Sequence, residues 1–145
     1  MILFLDFDGT THPYAALIKD YFCCLPRIER VLREFPEVKV VISSWWRQDG
    51  LESVRKYFSH DIKDRVIDVT PIIEDRDMSS SIIKAVTRHY EILEWIQTNN
   101  YQGPWVALDD DHLGFPDFFP QLIRCDSDVG VNTVIEEKLR QYFAG

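Results

Sequence analysis

The fold is decided by the stretch ILFLDFDGT at residues 2–10. A short apolar run that ends at a turn signal is typical of a fully buried strand, which favours a central position in a parallel sheet. Such a strand leaves the carboxylates of Asp6 and Asp8 at its carboxyl end, where open α/β sheets bind ligands. Two neighbouring carboxylates resist ionisation unless a cation or a strong donor lies between them. The stretch therefore indicates a divalent metal, a proton-sharing pair of carboxyls, or both.

Strand and helix patterns alternate along the rest of the chain. Runs of β-branched and apolar residues predict further strands at residues 38–42, 65–69, 105–108 and 122–125. Apolar residues at helical spacing predict helices at residues 27–35, after an Asp49 N-cap, from residue 82 or 88 to 98, and from residue 132 or 133 onwards. This alternation predicts a three-layer α/β fold with a parallel sheet of about five strands. Residues 1–145 are predicted to form a single domain.

The composition excludes several classes of protein. The chain has 145 residues, is 46% hydrophobic and carries a net charge of −8. An acidic chain lacks the basic footprint that non-specific nucleic-acid binding needs, so no such binding is expected. No apolar run approaches the roughly 20 residues of a membrane span, and no membrane association is expected. The absence of a secretory signal, with three cysteines at no disulfide spacing, predicts a cytoplasmic protein.

Two further predicted strands also end in polar groups. Ser43 and Ser44 follow the second strand, and Asp109 and Asp110 follow the fourth. Each pair alone has an ordinary explanation, since serines are common in turns and helix caps and acidic residues are common in solvated turns. Because all of these groups lie at the carboxyl ends of parallel strands, however, they are expected to share one edge of the sheet.

The motif at residues 6–10 resembles the first motif of the haloacid-dehalogenase-like superfamily, most of whose members are Mg²⁺-dependent phosphatases that form an aspartyl-phosphate. The resemblance implies that Asp6 is the nucleophile and Asp8 the general acid/base. The chemistry suits these residues, since a carboxylate nucleophile divides phosphoryl transfer into two steps and a neighbouring carboxyl can move the proton. The resemblance implies a haloacid-dehalogenase-like, Rossmann-like fold, and no large cap domain is expected because residues 11–26 and 45–88 are too short to hold one.

The resemblance also implies the binding groups of the site. The phosphoryl group would be bound by Gly9, by the serine pair Ser43 and Ser44, and by a cation. Mg²⁺ would be bound by Asp6, Asp109 and Asp110 together with Asp8 through its backbone carbonyl, an oxygen-rich set that suits this ion. The cation is assigned to Arg88, which begins the helix before the fourth strand. Lys84 and Arg47 are the alternatives, and an Arg88 on the helix surface paired with Glu91 or Glu94 is the non-functional interpretation.

A closer resemblance is to the compact domain of this superfamily found in "Swiss army knife" RNA repair proteins. It depends on residues 6–13, 43–47, 69–71, 88–92 and 105–111. It implies a phosphorylated substrate, either a small molecule or a nucleic-acid end. The alternative function is a non-catalytic module that binds phosphorylated ligands or partner proteins, although such a module has no use for a second acid at Asp8.

Three aromatic features receive structural interpretations. His12 is expected to be a turn residue rather than a contact of the leaving group, although both are open. Trp45 and Trp46 are expected to pack over the sheet edge, with stacking on a nucleobase as the alternative. The phenylalanines Phe115, Phe118 and Phe119 are expected to anchor the loop after the fourth strand, with lining of the site entrance as the alternative.

Overall fold

The computed structural model describes residues 1–73 and 87–145. Its centre is a sheet of five parallel strands in the order β3-β2-β1-β4-β5. The strands are β1 (Ile2–Leu5), β2 (Lys39–Ile42), β3 (Val66–Val69), β4 (Trp105–Asp109) and β5 (Leu122–Arg124). The predicted three-layer α/β fold with a parallel sheet of five strands is confirmed.

Strand β1 lies at the centre because both of its faces are apolar. Leu3 and Leu5 point into the larger hydrophobic core, whereas Ile2 and Phe4 point into a second core on the opposite face. Alternate residues of a strand face opposite sides of a sheet, so a strand with two apolar faces needs cover on both. Burial of one such side chain stabilises the fold by about 1.5–3 kcal/mol.

Within residues 1–73 and 87–145, four helices cover the two faces, and they are α1 (Leu25–Glu34), α2 (Leu51–Arg55), α3 (Thr87–Thr98) and α4 (Thr133–Ala144). Helix α1 buries Ile28, Val31 and Leu32 at helical spacing and packs beside α4 against the larger core. Helix α3 places Ile92 and Trp95 in the second core. The sheet therefore lies between two helical layers.

Two helix boundaries differ from the sequence prediction. Asp49 does not cap α2, because residues Trp45–Asp49 form a 3-10 helix that Ser44 caps by accepting a hydrogen bond from the Trp46 amide. Gly50, at φ 92°, then separates this 3-10 helix from α2. Helix α1 begins earlier than predicted, because proline fits the first turn of a helix, where no intrahelical N–H bond is needed.

The connections after β1 and β2 contain no inserted domain within the described residues. Residues 11–24 contribute one 3-10 helix, Ile18–Asp20, before α1 begins. The prediction of a mobile loop at residues 74–81, the alternative helix start at residue 82 and Lys84 all lie outside the described residues. Among the helices that the structure describes, none is long and apolar enough to cross a membrane.

The topology places ligand-binding groups between β1 and β4. The chain runs outward from β1 through β2 to β3, and then returns to the other side of β1 to form β4 and β5. In open α/β sheets the crevice at such a reversal, outside the carboxyl ends of the strands, is where ligands bind. The residues that follow β1 and those that end β4 therefore border the expected site.

Candidate active site

Strand register aligns the polar residues at the carboxyl ends of three neighbouring strands. Leu5 pairs with Ile42 on one side and with Leu108 on the other. The next residue of each strand is therefore at the same level of the sheet edge, and these residues are Asp6, Ser43 and Asp109. All three are buried. The site is thus produced by parallel register and requires no unusual backbone at these positions.

Three carboxylates form a compact cluster at this edge. One oxygen from each of Asp6, Asp109 and Asp110 lies within 4.8 Å of the other two. Asp8 is not part of the cluster, and whether its backbone carbonyl binds a metal stays a prediction. The arrangement concentrates negative charge at the carboxyl end of β1 and β4, where it requires a compensating cation.

Gly9 makes room for one member of this cluster. Its backbone has φ 77°, in the left-handed region that favours glycine, and a Cβ atom there would overlap the carboxylate of Asp110. The glycine of the first motif therefore lets the loop after β1 approach Asp110 closely. Its predicted contact with the phosphoryl group stays a prediction.

Arg88 supplies the cation. Its guanidinium Nη1 lies 3.3 Å from Asp6 Oδ1 and 3.6 Å from Asp109 Oδ2, and it donates a hydrogen bond to the carbonyl of Ser43. The residue is buried, so the interpretation of Arg88 as a surface charge on helix α3 is wrong. Although burial acts to lower the pKa of Arg88, the charges of Asp109 and Asp6 raise it above its usual value.

Arg47 lies elsewhere in the interior. Its guanidinium donates to the carbonyls of Ser43, Ser44, Thr70 and Pro71 and to the carboxylate of Glu91, at 2.7–3.2 Å. These bonds occupy the guanidinium and tie the segments after β2 and β3 to helix α3, which indicates a structural role for Arg47. Of the two arginines considered, the structure brings only Arg88 to the carboxylates.

The two serines have different surroundings. Ser43 Oγ is buried and has no hydrogen-bond partner among the described residues. An unsatisfied buried hydroxyl is costly, which is a reason to expect a ligand there. Ser44 accepts a hydrogen bond from the Trp46 amide and also lines the cleft above the carboxylates. The geometry therefore favours Ser43 as the hydroxyl that is available to a ligand.

Asp8 is held by two residues whose involvement was not expected from the sequence. His12 Nε2 lies 2.9 Å from Asp8 Oδ1, and Trp46 Nε1 donates to Asp8 Oδ2 at 3.0 Å. The sequence did not indicate that the His12 ring is fully buried. The one available signal was its position four residues after Asp8, which is not specific.

A cleft of about 810 Å³ opens above the cluster. Asp6, Asp8, Arg88 and Asp110 line its base, and the exposed rings of Tyr14 and Trp45 lie at its margin.

Trp45 is 57% exposed, so the expectation that it packs over the sheet edge is wrong, whereas Trp46 does pack among aromatic rings. Phe115 is buried as predicted, but Phe118 is fully exposed and anchors nothing.

Crowding perturbs two of the carboxylates. Burial raises the pKa of Asp109 well above its usual value, and the charge of Asp6 raises it further against the opposing effect of Arg88. Burial and the neighbouring Asp6 also raise the pKa of Asp110 to about 7. The cluster without a cation therefore favours protons on these two carboxyls.

The oxygen atoms of the carboxylate cluster are suitable ligands for Mg²⁺. Three carboxylate oxygens converge, and Asp109 Oδ2 is buried without a hydrogen-bond donor among the described residues. Mg²⁺ prefers oxygen ligands, and a buried carboxylate oxygen that lacks a donor is suited to a cation. Asp6, Asp109 and Asp110 are thus the side chains that could hold the ion.

The metal-free protein is expected to lose stability as pH rises from 6.5 to 8. Because Asp110 binds its proton more tightly when folded, the native state holds more protons than the unfolded chain between roughly pH 4 and 7. The contribution of the Asp110 carboxyl to the free energy of unfolding is therefore present at low pH and is lost as pH rises through about 7. Thermal unfolding with a chelator present should show a melting temperature several degrees lower at pH 8.

Asp110→Asn is the control for this pH effect. It removes the titrating group, so it should melt at a higher temperature than the wild type at pH 8 and show a smaller pH dependence. His89, whose pKa is lowered by burial, opposes the effect equally in both proteins. An identical pH dependence in the two proteins would contradict the role of Asp110.

The fold and the site together define a class. A parallel sheet in this strand order, with acidic residues following its central strand and ending β4 at the reversal point, is a haloacid-dehalogenase-like domain. The chain belongs to the family described as "HAD domain in Swiss Army Knife RNA repair proteins", whose model matches residues 2–134. No curated protein and no solved structure matches it. The family resemblance predicted from the motifs is confirmed, and membership indicates a phosphatase-type hydrolase with a phosphorylated substrate.

Proposed function

We propose that the protein is a Mg²⁺-dependent phosphatase that works through an aspartyl-phosphate on Asp6. The observation that carries the proposal is the convergence of Asp6, Asp109 and Asp110 beside Arg88. A set of this kind provides a nucleophile, a cation site and a fixed positive charge for a phosphoryl group. The unpartnered hydroxyl of Ser43 adds a donor at the same level of the sheet.

In the first step a carboxylate oxygen of Asp6 attacks phosphorus. The bond from Asp6 to phosphorus forms as the bond from phosphorus to the leaving oxygen breaks, and Asp8 gives its proton to that oxygen. The ion pair with Arg88 holds the Asp6 carboxylate in place for the attack. Both carboxylates line the cleft, so each can reach a bound phosphate ester.

In the second step water hydrolyses the phosphoryl-enzyme. Asp8, now ionised, takes a proton from the water while the water oxygen attacks phosphorus, and the bond to Asp6 breaks to release phosphate. Ser43 and Arg88 donate to the phosphoryl oxygens in both steps, and Gly9 and Ser44 complete the binding loops. Mg²⁺ would be held by the side chains of Asp6, Asp109 and Asp110 and by the backbone carbonyl of Asp8. When bound, it would neutralise charge on the phosphoryl oxygens.

The proposed substrate is a nucleotide or the phosphorylated end of a nucleic acid. The site is an open cleft within the described residues, and Trp45 and Tyr14 expose aromatic rings at its margin, on which a base can stack. The net charge of −8 disfavours contact with a long phosphate backbone, which restricts the expected contact to the end. The family's description, which refers to RNA repair proteins, agrees with such a substrate.

The proposal also covers the domain organisation and the cellular location of the chain. Residues 1–145 are proposed to act as one domain, because the described strands form a single sheet with helices on both faces. A cytoplasmic location is also proposed, since Cys23, Cys24 and Cys125 are all free thiols, which suits a reducing compartment.

Phosphate release from p-nitrophenyl phosphate tests the function. The protein is expected to release phosphate with Mg²⁺ present and to lose this activity when a chelator removes the ion, because the carboxylates then repel one another and the phosphoryl group. Added Mg²⁺ should restore the rate. Phosphate production should be followed over a series of Mg²⁺ concentrations.

A comparison of substrates identifies the class. Nucleoside monophosphates and 5′-phosphorylated oligonucleotides should react with lower KM than a sugar phosphate of the same charge, because a base gains contact with Trp45. Turnover that persists in the chelator would contradict the metal dependence. Binding of phosphorylated ligands without turnover of any of these esters would favour the non-catalytic module instead.

A further inference from the structure

The Asp8 carboxylate is tethered through both of its oxygens. One oxygen contacts His12 Nε2 at 2.9 Å, and the other accepts from the indole N–H of Trp46 at 3.0 Å. The Asp8 side chain is nevertheless 40% exposed and lines the cleft. The carboxylate therefore presents its remaining lone pairs to the cleft in a fixed orientation.

The hydrogen bonds of the His12 ring determine its tautomer. Its Nδ1 lies 3.1 Å from the backbone nitrogen of Phe22, an N–H group that can only donate. The hydroxyl of Thr11, 3.2 Å from the same nitrogen, donates its proton to the carbonyl of Phe7. Nδ1 must therefore be the acceptor, so Nε2 carries the hydrogen and donates it to Asp8 in a neutral ring.

The surroundings of His12 are built to hold this arrangement. Phe22 adopts φ 65°, a left-handed conformation that is uncommon for an aromatic residue, and in it the Phe22 amide faces His12. Tyr21 stacks on the His12 ring at a centroid distance of 4.8 Å, and Trp46 packs edge-on to it. Backbone strain persists where surrounding contacts over-determine it, often at functional sites.

We propose that His12 and Trp46 are positioning residues that fix the Asp8 carboxyl for proton transfer to the leaving group. The proposal rests on the proposed function, in which Asp8 is the general acid/base. His12 is fully buried and so acts through Asp8 rather than on the substrate. With one donor on each oxygen, rotation of the carboxyl is blocked, and its proton is presented in one direction toward the cleft.

Leaving-group dependence tests this role. An alkyl phosphate needs full protonation of its leaving oxygen, whereas p-nitrophenyl phosphate needs little, and kcat/KM reports the first chemical step for both. Trp46→Phe keeps the ring but removes the N–H, and His12→Leu removes the other donor. Each should reduce kcat/KM for the alkyl ester about tenfold more than for the aryl ester. This loss is smaller than the full contribution of a general acid, because Asp8 itself is still present. His12→Gln retains a donor and should recover part of the loss.

Matched controls separate positioning from packing. Trp95 donates its indole N–H to Asp68 at 2.8 Å in the second core, so Trp95→Phe removes the same kind of bond away from the cleft and should show no leaving-group preference. In an Asp8→Asn protein, Trp46→Phe should not change the ratio of kcat/KM between the aryl and the alkyl ester any further, because Trp46 acts through Asp8. Circular dichroism and thermal melting establish that each variant is folded.

The possible results are distinct. Equal losses for both esters in Trp46→Phe and His12→Leu, or a further preference in the Asp8→Asn background, would overturn the positioning role. Absence of wild-type turnover would contradict the proposed function itself and the inference with it. The ¹⁵N chemical shifts of His12 test the tautomer without turnover: a neutral ring protonated at Nε2 is expected, and a ring protonated at Nδ1 would overturn the assignment.

Discussion

Asp6→Asn is expected to abolish phosphate release while the protein remains folded. The amide cannot attack phosphorus, and no other residue takes its position at the end of β1, so kcat/KM for p-nitrophenyl phosphate should fall on the order of 10³-fold or more. Phosphate release with saturating Mg²⁺ measures the loss. Mass spectrometry of quenched wild-type enzyme should show a phosphoryl group that is absent from the variant.

The matched control for Asp6→Asn is Asp68→Asn. Asp68 is a carboxylate on β3 that accepts hydrogen bonds from Trp95 and from the Val69 amide, and it does not line the cleft. Its replacement should leave turnover within about twofold of the wild type. A wild-type rate in a folded Asp6→Asn protein would contradict the covalent mechanism.

Arg88→Met is expected to affect activity and stability together. Removal of the guanidinium leaves Asp6 and Asp109 buried without their cation, which costs about 3–5 kcal/mol when one partner of a buried pair is removed. The phosphoryl group also loses a fixed positive charge, so kcat/KM should fall about 10²–10³-fold. Urea unfolding without metal measures the first effect, and phosphate release measures the second.

Two comparisons give the Arg88 prediction its specificity. Arg88→Lys keeps the charge, but its shorter side chain ends before the position of Nη1, the nitrogen that contacts both Asp6 and the Ser43 carbonyl, so this variant should lie between the wild type and Arg88→Met in both measurements. Added Mg²⁺ should recover part of the stability of Arg88→Met, because it compensates the same carboxylates. Unchanged turnover in Arg88→Met would contradict the proposed role of Arg88 in binding the phosphoryl group.

The architecture and the carboxylate cluster follow from local sequence patterns. Strand β1 is recognisable because every one of its residues is apolar, β2 from its run of β-branched residues and β4 from the apolar run before Asp109. Once the sheet is parallel, register alone brings Asp6 and Asp109 to one edge. Their convergence needed no knowledge of tertiary contacts, which is why sequence motifs predicted it.

The remaining parts of the site depend on contacts that no local pattern records. His12 bonds to Asp8 through one ring nitrogen and accepts at the other from the amide of Phe22, ten residues away and in a left-handed conformation. The positions of the Trp45 and Trp46 rings depend on the 3-10 helix of residues 45–49. An α-helix has more residues per turn and would point the two rings in other directions. The roles of neighbouring arginines likewise depend on packing, because the carbonyls that bind Arg47 come from separate loops.

The guanidinium of Arg47 has a consequence for how the molecule opens. It joins the segment after β2 to the segment after β3, through Ser44 and Thr70, and both to helix α3 through Glu91. Since none of these segments can leave without breaking bonds to the same buried ion, they should open as a single unit. In hydrogen exchange, the amides of Thr70 and Ile73, bonded to Ile42 and Glu91, should therefore exchange at one common free energy of opening.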